Sequence, residues 1–213
     1  MSTVTQDLYD LANIFRIQSI EMVEVTQAGH PTSCSSMAEI IATLFFHPEV
    51  GMKFDPQHPR ELTNDKFVLS KGHAAPILYC AWSHAGTVPK EDLMKLRTLG
   101  SDLEGHPTPR LSFIDFATGS LGQGLNNACG VAYSMKYMEK RDTRVYTLVG
   151  DGELAEGSNW EALHFASLYK LNNFVVILDC NRLGQSMPTS LEHHLEIYEA
   201  RAKAFEEVYK KLK

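Results

Sequence analysis

The sequence lacks the features of a membrane, secreted or nucleic-acid-binding protein. No apolar run among its 213 residues approaches the length that crosses a bilayer, and no basic segment followed by an apolar one stands at its start. The 20 lysine and arginine residues are outnumbered by 26 aspartate and glutamate residues, which gives a formal net charge of −6. Because nucleic-acid binders usually carry an excess of basic residues, we expect no nucleic-acid partner. The absence of a membrane-crossing run and of a signal-peptide pattern leads us to expect no membrane contact and a cytoplasmic location.

Cysteine is scarce and widely spaced. Cys34, Cys80, Cys129 and Cys180 stand about fifty residues apart, with no C-x-x-C pair. Zinc sites commonly use closely spaced cysteine pairs, and small disulfide scaffolds use a denser cysteine framework, so neither is well supported. We predict four buried thiols in a reducing compartment.

The composition is that of an ordinary globular protein. Apolar residues make up 44% of the chain and charged residues 22%, which excludes a disordered or collagen-like chain. A chain of 213 residues is long enough for one domain, or for one and a half at most.

Helix signals begin near the start of the chain. Apolar residues at three-residue steps predict a helix over residues 5–27, and Gly29-His30-Pro31 ends it. Ser35 or Ser36 is expected to cap a second helix, which carries apolar residues on one face. Residues 98–118 are rich in glycine, proline and threonine and predict a long irregular connection, which in compact domains is usually functional.

Three short apolar runs predict buried β-strands at residues 66–70, 145–149 and 174–178. Strands that are apolar throughout are typical of a parallel sheet covered on both faces. We therefore predict an α/β fold, in which a parallel sheet carries helices on both faces. The helical segments that alternate with these strands lie near residues 75–85, 119–140 and 151–170.

Polar, glycine-flanked residues follow each predicted strand. Ligands of parallel sheets bind beyond the carboxyl ends of the strands, so these residues are candidates for a binding site. The three segments are Lys71-Gly72-His73, Gly150-Asp151-Gly152 and Asp179-Cys180-Asn181.

Asp151 and Asn181 point to a metal site. Mg²⁺ uses one or two protein oxygens together with substrate phosphates, and Asp151 suits that role. A lone Gly-Asp-Gly is also typical of a tight turn after a strand. Asn181 stands thirty residues later, after the next strand, and Leu183 adds a backbone carbonyl. We therefore predict that Asp151 and Asn181 lie at neighbouring strand ends and hold a metal bound to a diphosphate.

Five sequence blocks resemble the transketolase family, most closely its animal members, and occur in that family's order. Gly-Asp-Gly followed about thirty residues later by asparagine is shared by thiamine diphosphate enzymes more widely. The first two blocks argue against relatives such as deoxyxylulose-phosphate synthase. The blocks are Gly29-His30-Pro31-Thr32-Ser33, Lys66-Phe67-Val68-Leu69-Ser70-Lys71-Gly72-His73-Ala74, Gly105-His106-Pro107, Ala117-Thr118-Gly119-Ser120-Leu121-Gly122-Gln123-Gly124 and Asn181-Arg182-Leu183-Gly184-Gln185-Ser186.

The resemblance implies a thiamine diphosphate-binding fold that is truncated on its C-terminal side. It covers residues from about 8 to 205, so we expect an incomplete diphosphate-binding domain over residues 1–205 and a divergent helical tail over residues 206–213. The pyrimidine domain of transketolases, whose glutamate activates the cofactor, is not matched. We therefore expect this chain alone to bind cofactor weakly and to turn over little substrate.

The resemblance also implies catalytic and cofactor-binding residues. His30, His73 and His106, each preceded by glycine, would line the channel to the thiazolium, where histidine can move protons near neutral pH. Taken alone, each glycine–histidine pair is more often a structural loop. Residues 118–120 are expected to open a helix whose N–H groups face an anion. The cofactor-binding residues would be Ser33, His73, Gly119, Ser120, Leu121, Gly152 and Asn181.

The family's metal and interface residues can also be carried over. Asp151, Asn181 and the Leu183 carbonyl would hold Mg²⁺ or Ca²⁺ beside thiamine diphosphate. Glu156 and Glu161 would join a carboxylate network at a subunit interface. The implied partners are sugar phosphates, with a homodimer or a pairing with a longer transketolase chain.

Three functions follow from the resemblance. The first is transketolase-type transfer of a two-carbon ketol unit from a ketose phosphate to an aldose phosphate, in the pentose phosphate pathway. The second is a catalytically inactive cofactor- or subunit-binding module that pairs with a full-length transketolase chain. The third is a split enzyme whose second chain supplies the pyrimidine domain, which the early end of the sheet disfavours.

The last residues have a pattern of their own. Thr189 and Glu192 have the spacing of a capping box before a helix. One interpretation of the apolar stripe that follows is a single amphipathic helix packing on its own sheet, and the other is a partner-binding helix. The stripe consists of Leu191, Leu195, Tyr198, Ala202, Phe205, Tyr209 and Leu212.

Overall fold

The computed structural model describes residues 3–211 and confirms an α/β fold with a parallel sheet. The chain divides into two compact units. The first, which we call the helical unit, comprises residues 3–65 and 72–119. The second, the sheet unit, comprises residues 66–71 and the chain from residue 120 onward.

The helical unit is built around its first helix. That helix packs against the third and fourth helices through its buried face, which includes Phe15 and Met22. Residues 98–118 contain no helix or strand, as the sequence predicts. The helices of this unit are α1 (Thr3–Thr26), α2 (Pro31–Ser35), α3 (Ala38–Phe46) and α4 (Ala75–His84), with 3₁₀ turns at Gly72–Ala74 and Lys90–Lys95.

Helix α2 changes the expected capping of the helix that follows. The N-cap of α3 is Met37, with no side-chain cap, so the prediction that Ser35 or Ser36 caps it is wrong. Both serines belong to the turns around α2, where they donate to backbone carbonyls of residues 31 and 33, at 2.9 and 3.2 Å. Proline at the first position of a helix needs no N–H partner, which allows α2 to begin directly at Pro31.

The sheet unit contains three parallel strands in the order β1 (Lys66–Leu69), β2 (Val145–Gly150) and β3 (Phe174–Asp179). Their register places Gly150 opposite Asp179. The residues that follow β2 and β3 therefore leave the sheet side by side, as the sequence predicts. The helices of this unit are α5 (Gln123–Tyr133), α6 (Gly157–Leu168) and α7 (Leu195–Lys211), and a π-helical turn, Ser134–Met138, follows α5.

Helix α5 covers the sheet and packs against α6. Strand β2 is buried along almost its whole length, whereas the apolar residues of the edge strand β3 are half-buried. The core of the sheet unit is formed by Val68, Leu125, Ala128, Cys129, Ala132, Met135, Val145, Val149, Leu154, Ala162, Leu171 and Tyr198.

Two glycines of α5 differ in what surrounds them and make a matched pair. A Cβ on Gly124 would lie 2.4 Å from the Ser70 Cα, whereas nothing lies within 4 Å of a Cβ on Gly130. We expect Gly124→Ala to lower the free energy of unfolding by about 1–3 kcal/mol, because backbone must move to admit the methyl group. Gly130→Ala should raise it by about 0.5–1 kcal/mol, because alanine is the better helix former. Urea unfolding of both variants measures this, and equal effects would contradict the packing described here.

Helix α7 packs against α6 of the same unit. The Phe205 and Trp160 rings stack at 6.1 Å between centroids, and the Arg201 guanidinium lies 3.8 Å from the centre of the Trp160 ring. Of the apolar stripe, Tyr198 is buried but Leu195 is 56% exposed. Packing within its own unit therefore accounts for part of the stripe. The side chains of residues 209 and 212 lie outside the described residues, and a partner-binding role stays a prediction.

The predicted capping box before α7 is wrong. Helix α7 begins at Leu195, several residues after Thr189, and Glu192 has a φ of 42°. The Thr189 hydroxyl instead donates to the carboxylate of Asp151. A long-range partner for this threonine has replaced the local one that the spacing suggested.

All four cysteines lie within the described residues, and no disulfide joins any two of them. Cys34, Cys80 and Cys129 are buried as predicted, whereas Cys180, after the edge strand β3, is only half-buried. Along residues 3–211, no helix has the length and apolar character needed to cross a membrane.

Candidate functional site

Asp151 is the centre of a hydrogen-bonded turn at the carboxyl end of β2. One carboxylate oxygen accepts from the Gly152 amide at 3.0 Å. The other accepts from the Arg182 amide at 3.0 Å and from the Thr189 hydroxyl at 2.8 Å. Only 4% of Asp151 is exposed. Two backbone amides and one hydroxyl therefore fix the orientation of this carboxylate.

The turn after β3 supplies two further oxygens. The Asn181 amide oxygen accepts from the Leu183 amide at 2.8 Å, and Arg182 between them has a φ of 68°. This left-handed conformation is unusual for a non-glycine residue. The Leu183 carbonyl oxygen lies 3.8 Å from the point where a Cβ on Gly152 would stand. The predicted metal-binding residues therefore lie in two adjoining turns of the sheet unit.

A small hairpin holds the two turns together. Residues 183 and 188 form an antiparallel bridge, the Gly184 amide donates to the Met187 carbonyl at 2.9 Å, and the Thr189 amide donates to the Arg182 carbonyl at 2.8 Å. This closure brings the Thr189 side chain back to Asp151. The only sequence signal at this threonine is the spacing of a helix cap, which does not indicate a contact with Asp151.

The donor set of these turns suits a hard cation bound together with phosphate. Asp151, Asn181 and Leu183 offer only oxygen, which Mg²⁺ and Ca²⁺ prefer. Within residues 3–211 no three histidine, cysteine, aspartate or glutamate side chains gather as a metal cluster. A divalent cation bound by one carboxylate and two neutral oxygens would keep open coordination positions and a net positive charge, both of which favour an anionic ligand. A magnesium diphosphate fits these residues.

A cavity of about 380 Å³ lies beside Asp151, between the hairpin and α7. Tyr198 and Arg201 of α7 line its far side. Burial raises the pKa of Tyr198, and the negative charge of Asp151 raises it further. Burial likewise raises the pKa of the neighbouring Cys180 thiol to about 11, with Asp151 and Asp179 adding to the shift. The thiol is therefore protonated near neutral pH and is a poor nucleophile.

A buried ion pair braces the strand ends beneath this site. The Lys71 ammonium, after β1, lies 2.5 Å from the carboxylate of Asp179, the last residue of β3, and the two side chains are 1% and 7% exposed. A Cβ on Gly150 would lie 3.9 Å from Lys71 atoms, so the lysine stem passes beside the end of β2. The Asp151 amide also donates to the Asp179 carbonyl, at 3.1 Å. Sequence reasoning missed this pair, because Lys71 followed an apolar run and was considered only as part of a motif.

The start of α5 differs from the expected anion site. The helix begins at Gln123, with Gly122 as N-cap at a φ of 87°, so the expectation that residues 118–120 open it is wrong. The Leu125 amide of its first turn donates to the Ser70 hydroxyl at 3.0 Å. Ser120 and Leu121 are exposed in the loop before the helix. An anion bound here would meet this loop rather than an open helix end.

The predicted histidines all lie in the helical unit. The Ser33 hydroxyl is 2.7 Å from the His73 Nε2, and the His30 and His73 rings meet edge to face at 5.1 Å. Partial burial lowers the pKa of His106, and the charges of His30 and Arg97 lower it further. A neutral imidazole at this position can accept a proton.

Gly119 lies against one of these histidines. It has a φ of 139°, and a Cβ there would lie 2.5 Å from the His106 ring. Only glycine fits this contact without movement. Glu156 and Glu161, predicted for a subunit interface, are exposed on and just before α6.

The chain belongs to the family described as "Transketolase, thiamine diphosphate binding domain", which it matches over residues 8–207. Among whole proteins, it is 58% identical over 200 residues to the transketolase of Homo sapiens, a match that spans 94% of this chain and 32% of that protein. It is 54% identical over 200 residues to the human transketolase-like protein 2, again 94% of this chain and 32% of that protein. The chain thus spans about a third of the length of these relatives.

Solved transketolase structures share the fold. The enzyme from Campylobacter jejuni superimposes with a TM-score of 0.82 at 34% identity, over 97% of this chain and 35% of that one. Transketolase from Pichia stipitis, in complex with sedoheptulose-7-phosphate, superimposes with a TM-score of 0.82 at 29% identity, over 96% of this chain and 31% of that one. The family match ends inside α7, at residue 207.

Proposed function

We propose that this chain binds thiamine diphosphate through a divalent cation and supplies the metal and diphosphate half-site of a transketolase-type enzyme. The observation that carries the proposal is the pair of adjoining turns in which the buried Asp151 carboxylate lies with the oxygens of Asn181 and Leu183. The reaction would transfer a two-carbon ketol unit from a ketose phosphate to an aldose phosphate, in the pentose phosphate pathway of the cytoplasm.

The residues of the chain have distinct tasks in this proposal. Asp151, Asn181 and the Leu183 carbonyl hold Mg²⁺ or Ca²⁺, which neutralises the diphosphate. Gly152, Ser33 and the backbone of residues 119–121 contact the cofactor. Thiamine diphosphate, when bound, supplies the carbon nucleophile that protein side chains lack.

The histidines hold and move protons in the proposed reaction. His30, His73 and His106 bind sugar hydroxyls and act as acid or base near neutral pH. His73 is oriented for this by the hydroxyl of Ser33. The lowered pKa of His106 keeps it neutral at pH 7, so it serves as a hydrogen-bond partner or base rather than a fixed cation.

A product assay tests the transferase function. The purified chain is incubated with thiamine diphosphate, Mg²⁺, a ketose phosphate and an aldose phosphate, and the shortened and lengthened sugars are measured by mass spectrometry. A second reaction contains this chain together with a full-length transketolase that has been inactivated at its own metal site. Two-carbon exchange that needs this chain and the cofactor supports the enzyme, and no exchange in either reaction contradicts it.

A second candidate function is a binding module that modulates a longer transketolase chain. The observation that favours it is the exposure of Glu156 and Glu161, just before and on α6. Glu156 and Glu161 would then lie at the interface of a mixed dimer or of a homodimer. Sedimentation of the chain with and without a full-length transketolase separates these outcomes. A mixed dimer that lacks two-carbon exchange from this chain supports the module.

Thr189 provides a graded test of the metal site. We expect Thr189→Val to weaken Mg²⁺ binding about 5-fold in the presence of thiamine diphosphate, because one hydrogen bond that orients the Asp151 carboxylate is lost and a net hydrogen bond contributes about 1 kcal/mol. Thr189→Ser keeps the hydroxyl and should bind as the parent chain does. Magnesium titrations followed by calorimetry measure both, and equal loss in the two variants would remove Thr189 from the account.

A further inference from the structure

We propose that Glu153 is a positioning residue that fixes the loop before α5 against the metal-binding turn after β2. The inference rests on the proposed function, because it concerns how the diphosphate and metal contacts are held in register. Glu153 lies two residues after Asp151, in the 3₁₀ turn Gly152–Ala155, and is 2% exposed.

The Glu153 carboxylate joins three separate segments of the sheet unit. One oxygen accepts from the Ser70 hydroxyl, after β1, at 2.6 Å and from the Gly122 amide, at the start of α5, at 2.9 Å. The other accepts from the Gly150 amide, at the end of β2, at 3.3 Å. A buried carboxylate is costly unless it is hydrogen-bonded, and here both oxygens are satisfied. The cost is thus met by a network that connects both halves of the proposed binding surface.

Gly122 is the point at which this network reaches the loop that would contact diphosphate. Its N–H is bound to Glu153, and its carbonyl accepts from the Ser158 hydroxyl at 3.2 Å and from the Asn126 amide. Its φ of 87° requires glycine, and a Cβ would lie 2.6 Å from the Ser158 hydroxyl. The residue directly after the proposed diphosphate contacts is therefore held on both sides.

The same glutamate fixes the metal turn. Its backbone carbonyl accepts from the side-chain amide of the fully buried Asn159, at 2.7 Å. The 3₁₀ turn is therefore anchored at Glu153 through both main chain and side chain. A change in the position of Glu153 must move Asp151, Gly122 or both. Since neither ligand is proposed to touch the Glu153 carboxylate, its effect should be on the linkage between metal and diphosphate binding.

The test compares the affinity for thiamine diphosphate with and without Mg²⁺ in three chains. In Glu153→Gln an NH₂ group replaces one carboxylate oxygen and faces an N–H or O–H donor. At least one hydrogen bond of the Glu153 side chain is therefore lost, while the size of the side chain is conserved. We expect the gain in cofactor affinity due to Mg²⁺ to fall about 10-fold in this variant, within the usual range of coupling between sites. Ser70→Ala removes the hydrogen bond from the Ser70 hydroxyl to Glu153 but leaves the Gly122 and Gly150 amides bound to it. This variant should keep the full gain in cofactor affinity due to Mg²⁺.

The outcomes separate this inference from the proposed function. A parent chain that shows no magnesium-dependent binding overturns the proposed function, and the inference falls with it. Full magnesium gain in Glu153→Gln overturns the inference alone, as does equal loss in Ser70→Ala.

Amide hydrogen exchange in the parent chain provides a second test if Glu153→Gln does not fold. Adding Mg²⁺ and thiamine diphosphate together should slow exchange at Gly122 and Gly150 in parallel. Slowing at one glycine amide without the other contradicts the positioning role.

Discussion

Asp151→Ala is expected to abolish magnesium-dependent binding of thiamine diphosphate, with a loss of at least about 100-fold in affinity. The variant removes the carboxylate that is proposed to bind the metal, and the remaining proposed ligands are the neutral oxygens of Asn181 and Leu183. Removing a charged ligand from a desolvated site costs several kcal/mol, of which each 1.4 kcal/mol is a factor of ten. Isothermal calorimetry at saturating Mg²⁺ measures the loss.

Two control variants isolate the charge of Asp151. Asp151→Asn keeps the size of the side chain and should lose most of the metal-dependent binding. Asp142→Ala removes an exposed aspartate shortly before β2 and should bind as the parent chain does. If Asp151→Ala binds cofactor with unchanged magnesium dependence, the metal site has been assigned to the wrong residue.

Lys71→Met is expected to lower the free energy of unfolding by about 3–5 kcal/mol, because removal of one partner leaves the other charge of a buried pair uncompensated. Asp179 would be that uncompensated charge, in a side chain that is 7% exposed. Urea unfolding followed by circular dichroism measures the change.

The double variant Lys71→Met, Asp179→Leu separates charge from packing. It removes both charges and should recover much of the stability, because apolar replacements of a buried ion pair are often neutral. The exposed pair of Lys95 and Asp92, also 2.5 Å apart, is the surface comparison, and Lys95→Met should leave the unfolding free energy nearly unchanged. A small effect of Lys71→Met would show that the pair does not brace the strand ends.

Periodicity and strand composition were sufficient to predict the sheet and most helices. The three apolar runs became parallel strands, since their lack of alternation admits burial on both faces. That topology also predicted the neighbouring exits of Asp151 and Asn181. Resemblance to transketolases, rather than geometry, indicated the histidines and the cofactor.

Local signals failed where distant segments compete for the same residue. Thr189 and Glu192 have capping-box spacing, yet the Thr189 hydroxyl binds Asp151, 38 residues away. Ser35 resembled the cap of the following helix, yet it is the last residue of the short helix α2 and its hydroxyl donates to the Pro31 carbonyl. Glu153 looked like an ordinary residue after Gly-Asp-Gly, because its partners come from 83 residues before it and 31 residues before it. Spacing rules describe single elements and carry no information on such contacts.

The most direct test of the central claim is a calorimetric titration of thiamine diphosphate into the parent chain, with Mg²⁺ and with a chelator instead. We expect saturable binding that requires the metal and that unphosphorylated thiamine does not reproduce. Circular dichroism of the same sample establishes that the chain is folded. A folded chain that binds no cofactor at millimolar concentration, or binds it equally well without a divalent cation, would contradict the assignment of these turns as a metal and diphosphate site.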